Sequence, residues 1–213
     1  MSFADRQDAG HRLAAALQGY RGRNDVIVLG LPRGGVPVAE VVANELGAAL
    51  DVILVRKLGV PGQEELAMGA IADNDAVVLN ESLLSALGVD ENTISMVRSR
   101  ESRELARRAK AYRAGRTAPE LSGRCVILVD DGMATGATAM AAVEAVRRQR
   151  PKGVVVATPV APPDTVERLR TVADDVVVVA TETPFFGVGY WYRDFAQTED
   201  SEVQGILRRA WHG

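Results

Sequence analysis

The stretch at residues 125–140, CVILVDDGMATGATAM, decides the fold. Cys125, Val126, Ile127, Leu128 and Val129 form a short apolar, β-branched run that predicts a buried strand. The run ends at two carboxylates, Asp130 and Asp131, followed by small residues: Gly132, Ala134, Thr135, Gly136, Ala137 and Thr138. Met140, Val143 and Val146 at helical spacing then predict a helix over 139–148. In such a strand–turn–helix unit, the first helical turn cannot satisfy its own N–H groups. Together with the helix dipole those amides make an anion socket, for which phosphate is the usual guest. Gly136 lets the backbone approach the guest, and Thr135 and Thr138 add hydroxyl donors. Two carboxylates beside a phosphate would repel it unless the guest also presents hydroxyls or Mg²⁺. A phosphorylated sugar satisfies both halves: phosphate in the turn, sugar hydroxyls on the acids.

A second unit of the same kind lies upstream. The apolar run 25–30, DVIVLG, leads into Leu31-Pro32-Arg33-Gly34-Gly35 and a helix predicted over 36–46. The amides of Gly34 and Gly35 can hold a second anion, with Arg33 as its cationic fork. A third run, 49–55, ends at Arg56-Lys57, placing cations at the carboxyl edge of a strand, where ligands of open α/β sheets bind.

The run VILVDDGMATGAT resembles the phosphoribosyl diphosphate (PRPP) signature of type I phosphoribosyltransferases: a strand, two acids and a loop ending in T-G-x-T. It is neither a Walker A loop nor a dinucleotide fingerprint, because G-K-S/T and G-x-G-x-x-G are both missing from it. P-R-G-G at 32–35 resembles the R-G-G pyrophosphate loop of the guanine/xanthine branch of that family. The resemblance extends over about residues 24–187, with 80–120 poorly matched. It implies transfer of ribose 5-phosphate from PRPP to a nitrogenous base with release of pyrophosphate. Asp130 and Asp131 then face the ribose and stabilise its cationic transition state, and residues Ala134, Thr135, Gly136, Ala137 and Thr138 hold the 5-phosphate. Arg33, Gly34, Gly35 and Lys57 bind pyrophosphate, and Asp130, Asp131, Arg33 and Lys57 form the catalytic set. The resemblance also implies Mg²⁺ as cofactor, carried by PRPP with both acids nearby and no direct protein ligand expected, and a homodimer. Hypoxanthine–guanine members carry a third Asp three residues after the acidic pair. Here that position is Ala134, which leaves the acceptor and its general base open. Two alternatives to transfer stay open: a PRPP-sensing regulator of the same fold, and a PRPP or nucleotide hydrolase.

With 213 residues and near-average apolar and charged content, the chain reads as a single α/β domain, 1–213. Five apolar runs, 26–30, 50–55, 125–129, 154–160 and 175–180, alternate with helices and predict a doubly wound, mostly parallel five-stranded sheet. The core is expected at about 24–79 and 120–182, and a helical and aromatic hood or insertion at 1–20, 80–116 and 183–213. Residues 2–17 read as a helix with Ser2 and Asp5 as a capping box. The Gly/Pro-punctuated 59–67 reads as a flexible catalytic loop, and 68–72 with 76–79 as a hairpin around 73–75. Helices are expected at 80–87, 90–112, 163–172 and 199–211.

The tail gathers Phe185, Phe186, Tyr190, Trp191, Tyr192 and Phe195 within fifteen residues. Either these rings seal the last helix to the core, or Phe186, Trp191 and Tyr192 line the pocket for a planar acceptor. The basic run between Arg98 and Arg116 reads as a solvated helix face. The net charge of −3 gives no general pull toward nucleic acid or membrane. A lone cysteine and two distant histidines offer no disulfide and no zinc site. The polar start, MSFADRQDAGHR, does not read as a signal peptide, and a cytoplasmic location is expected.

Overall fold

The five apolar runs pair in a computed structural model that describes residues 2–73 and 77–212. Strands β1 (Val26–Gly30), β2 (Ala49–Val52), β6 (Cys125–Val129), β7 (Gly153–Val160) and β8 (Asp175–Ala180) form one parallel sheet, in the order β2-β1-β6-β7-β8. Because side chains alternate across a strand, each central strand feeds two cores. Val26, Val28, Ile127 and Val129 pack toward α1 (Arg6–Ala16), α2 (Gly35–Leu46) and α7 (Asp200–His212). Ile27, Leu29, Val126 and Leu128 pack on the other side with α5 (Ala137–Arg147) and α6 (Pro163–Arg170). That double burial is why these strands read as unbroken apolar runs.

The structure corrects several boundaries. The run expected at 50–55 leaves the parallel sheet after Val52; β3 (Val55–Val60) starts a second, antiparallel sheet, β3-β4-β5, with β4 at Gln63–Ala72 and β5 at Val77–Leu79. The expected catalytic loop at 59–67 is therefore a hairpin. Val60 pairs with Gln63 across a turn at Pro61 and Gly62, and Gly62 takes the positive φ of +78° that the turn demands. Burial of Leu58, Val60 and Met68 holds its inner face. The hairpin expected at 68–79 is present as β4–β5, and residues 74–76 of its turn lie outside the described residues. At the N-terminus, Asp5 alone caps α1, accepting from Asp8 N. Phe3 precedes the helix and bridges to Tyr192.

The insertion forms α3 (Glu81–Leu87), capped by Asn80, and α4 (Glu91–Arg113). The basic face of α4 is not uniformly solvated. Arg107 and Arg108 pair with Glu104 in the open, but Arg56 on β3 reaches the buried Glu101 at 2.6 Å. Arg113 is buried, its Nε 3.1 Å from Asp51 and its Nη1 on Asp73, and it donates to Val52 O at 2.8 Å. This clamp ties the end of α4 to the ends of β2 and β4. Among the described residues no helix is long and apolar enough to cross a membrane.

Candidate active site

β1 and β6 are neighbours in register, Gly30 opposite Val129, so their two carboxyl-terminal turns emerge side by side. Leu31 N donates to Val129 O at 2.8 Å and draws them together. The glycines of the 32–35 turn show how close the approach is. A Cβ on Gly34 would lie 2.0 Å from Asp131 Oδ2, and one on Gly35 would lie 2.6 Å from Val129 O and 2.8 Å from Asp130 Cα. Only hydrogen fits at either position, which gives R-G-G a physical reason independent of any ligand.

The acids themselves are tightly placed. Asp131 N donates to Asp130 Oδ1 at 2.9 Å. Burial, then the neighbouring Asp131 charge, push the Asp130 carboxyl well above the usual carboxylate range. Burial also raises Asp131, against the pull of Arg6 beside it. Arg6, the first residue of α1, contacts Asp131 Oδ2 through Nε at 2.9 Å and Nη2 at 2.8 Å. The Tyr192 hydroxyl donates to Asp131 O at 2.5 Å, and burial raises its pKa, with the Asp131 charge adding to the shift.

The turn at 134–138 is built differently. Gly136 has φ +70°, and α5 begins after it with no side-chain cap. The opening amides of α5 therefore lack intrahelical partners, and Ala134, Thr135, Ala137 and Thr138 are exposed. Its carbonyls, by contrast, are tied back to α6: the Thr165 hydroxyl donates to Ala134 O at 2.7 Å, and Arg168 Nη2 donates to Thr135 O at 3.2 Å. On the amide side, Ala137 N donates weakly to the Thr135 hydroxyl at 3.4 Å, and the turn faces solvent.

The remaining sequence-derived candidates divide between these regions. Arg33 is half-exposed and turned to the tail: Gln197 Oε1, in the amide orientation that satisfies both its polar atoms, accepts from Arg33 Nη2 at 2.9 Å, and Glu199 lies 3.9 Å away. Lys57 stands on β3, not at the end of β2. It lines a cavity of about 600 Å³ between the β3-β4-β5 sheet and α5, shared with Ala137 and Thr138 but not with the acids or the glycines of the other turn. Trp191 and Tyr192 are buried with Phe3 and Val160, whereas Phe186 is 72% exposed. The structure thus brings together Asp130, Asp131, Gly34 and Gly35, joins Lys57 to the 134–138 turn through one cavity, and does not gather the three aromatic candidates into one lining. Sequence reasoning missed Arg6, Thr165, Arg168 and Gln197. No local signal marks them, because their partners lie about thirty or more residues away in the chain.

The parallel α/β sheet thus carries, at one edge, an acid pair packed on two glycines and an exposed turn that starts a helix. The phosphoribosyl transferase domain model matches residues 4–194, and the chain belongs to that family. Proteins from two strains of Mycobacterium tuberculosis, provisionally named phosphoribosyl transferases, are 49% identical to it over 208 residues, covering 98% of this chain and 47% of theirs. The chain therefore spans about half the length of these curated relatives. The crystal structure of TT1426 from Thermus thermophilus matches with a TM-score of 0.91 and 44% identity, over 100% of both chains. The AQ2163 protein of Aquifex aeolicus shares the fold more distantly, with a TM-score of 0.50 and 13% identity over 83% of this chain and 73% of its own.

Proposed function

We propose that this chain transfers the 5-phosphoribosyl group of PRPP to a nitrogenous, nucleobase-like acceptor and releases pyrophosphate. The observation that carries this reading is the close packing of Gly34 and Gly35 on Asp131 and Asp130, directly beside the open amide turn at 134–138. That arrangement sets paired carboxylates beside an exposed turn at a helix start, a pattern that suits the ribose hydroxyls and 5-phosphate of PRPP; the Gly35 amide, by contrast, donates to Leu31 O at 3.1 Å and is not free for an anion. In the reaction, the acceptor nitrogen forms a bond to the anomeric carbon as the bond to the pyrophosphate oxygen breaks, and that oxygen keeps the electron pair. The Asp130–Asp131 pair, through the negative charge the two acids share, stabilises the positive ring of the transition state. The 134–138 turn holds the 5-phosphate in place; the cations assigned to the leaving pyrophosphate are Arg33, which must leave its contacts with Gln197 and Glu199 to reach it, and Lys57, which stands in the cavity beside that turn. Ala134 supplies no base, so the acceptor's proton leaves through a group outside the signature.

Mg²⁺ suits this site as a passenger of the substrate. The two adjacent carboxylates of Asp130 and Asp131 supply hard oxygen atoms beside the place where PRPP would carry the ion. When bound to PRPP, Mg²⁺ would neutralise charge on the departing pyrophosphate. A homodimer and a cytoplasmic location belong to the same reading.

The test is calorimetry of PRPP with and without Mg²⁺, followed by a nucleobase screen read as pyrophosphate release. Mg²⁺-dependent binding and base-dependent release support the proposal. Release without any base points to hydrolysis, and binding without turnover points to a PRPP sensor. No binding of PRPP removes the reading.

A further inference from the structure

Arg6 lies 125 residues from Asp131 in the chain, yet both of its contacts fall on one atom, Asp131 Oδ2. The two side chains are only 14% and 12% exposed. The guanidinium is itself fixed: Nη1 donates to Ala196 O at 2.7 Å, and its central carbon lies 4.2 Å from the Phe195 ring centroid. Phe195 packs 4.9 Å from Tyr192, whose hydroxyl holds the backbone carbonyl of the same Asp131. Asp131 is thus gripped at its carboxylate and at its carbonyl by one frame of residues 6, 192, 195 and 196. Gly34 closes the Oδ2 side, since a Cβ there would meet Oδ2 at 2.0 Å and Arg6 Nη2 at 3.2 Å.

We infer that Arg6 is a positioning residue for phosphoribosyl transfer: by occupying Oδ2 it fixes the Asp131 carboxylate and turns Oδ1 toward a ribose hydroxyl. This inference rests on the function proposed above and assigns a role within the same site. The charge argument agrees with the geometry. Two adjacent acids, Asp131 buried and Asp130 half-buried, cannot both ionise cheaply. A cation on Asp131 alone biases the shared proton toward Asp130. Asp131 then enters the reaction as a carboxyl group aimed by a fork rather than as a freely rotating side chain. A group acting in this way changes sugar recognition without touching the sugar.

A double-mutant cycle on the full chain tests the assignment, with PRPP and Mg²⁺ as one probe and inorganic phosphate as the other. Arg6→Met is expected to lower PRPP affinity about tenfold, the effect of one charge-assisted contact, while phosphate affinity stays within about twofold. In an Asp131→Asn background, adding Arg6→Met is expected to change PRPP affinity by less than about twofold, because the two residues act as one unit. Additive losses would show that Arg6 is only a structural clip and overturn the inference, as would unchanged PRPP affinity in Arg6→Met. If Arg6→Met does not fold, Arg6→Lys keeps the charge but loses the fork; a smaller loss that again vanishes in Asp131→Asn supports the inference, and an additive one overturns it. A parent protein that binds phosphate but not PRPP overturns the phosphoribosyl reading itself, an outcome separate from any behaviour of the Arg6 variants.

Discussion

The turn at 134–138 is held by its near neighbour α6, whereas the acid pair at 130–131 is held from both ends of the chain. Thr165 and Arg168 tether the carbonyls of the first, and its residues 134, 135, 137 and 138 are exposed to solvent. Arg6 from the first helix and Tyr192 from the tail grip the second, and the glycines of the β1 turn seal it. One region is exposed, and the other is packed nearly like a core. The contrast suits a ligand with one compact anionic end and one polyhydroxy centre. A phosphate needs only oriented donors, but a ring that becomes positive needs carboxylates whose positions are fixed before reaction.

The largest expected effect tests whether long-range clips matter to the site only when they touch it. Arg113 is also a buried, long-range clip, on Asp51 and Asp73, but it is not part of the acid edge. Burial raises Asp51 even with Arg113 present, so Arg113→Met would strand buried carboxylates and cost about 3–5 kcal/mol. At roughly 2–4 °C per kcal/mol for a chain of this size, calorimetry should show the melting temperature falling by about 10 °C. Phosphate affinity measured well below that temperature should stay within about twofold of the parent. A large loss of phosphate binding in the folded variant would erase the distinction between clips at the site and clips elsewhere.

A smaller effect is expected from Gly34→Ala, which strikes the sealed region directly. The new methyl would overlap Asp131 Oδ2 and push either the turn or the acid aside. Overpacking of this kind costs about 1–3 kcal/mol. PRPP affinity should fall at least about tenfold, with phosphate affinity little changed. Equal losses of both would mean that the two turns move as one body.

The acid pair also makes a prediction about sign. The folded-state pKa of Asp130 is raised by burial and by Asp131, so the folded state holds a proton that the unfolded chain has released. A raised carboxyl destabilises the fold above its folded pKa, and that penalty fades as pH falls toward the unfolded value. Asp130→Asn should therefore melt higher than the parent at neutral pH, and the gap should close as pH is lowered toward 4. Its PRPP binding should weaken at the same time, the mark of a site strained for function. A variant no more stable than the parent at neutral pH would show that the pair is not under repulsion.

These contrasts also mark how far the residues alone could be read. The parallel sheet was legible because double burial writes continuous apolar runs, and both turns were legible because Gly, Thr and paired Asp at a strand end have few other uses. The β3–β4 hairpin was misread as a loop because Gly59, Pro61 and Gly62 punctuate it, while the apolar face that makes it a strand pair, Leu58, Val60 and Met68, is interrupted by those same residues. Arg6 was illegible for a different reason. An arginine on the first turn of an amphipathic helix looks solvated, and only the fold brings it to residue 131. Arg113 was absorbed into a basic run for the same reason, since the charges that bury it come from β2 and the end of β4.

The smallest expected effect concerns the open turn. Thr165 has no exposure, and its hydroxyl both donates to Ala134 O at 2.7 Å and accepts from Arg168 at 2.9 Å. Thr165→Val keeps the shape and removes the tether, leaving Ala134 O without its donor. One such hydrogen bond is worth about 1 kcal/mol net, or roughly fivefold in an equilibrium. If the tether does no more than hold the fold together, thermal unfolding should register that loss and phosphate affinity should not. If it instead orients the amide face, phosphate affinity should drop about threefold to fivefold while PRPP loses the same factor and no more, because the sugar contacts at Asp130 and Asp131 are held independently. We expect the second pattern. A PRPP loss well beyond the phosphate loss would mean that the acid edge depends on the turn after all, and that the two halves of the site are not separately built.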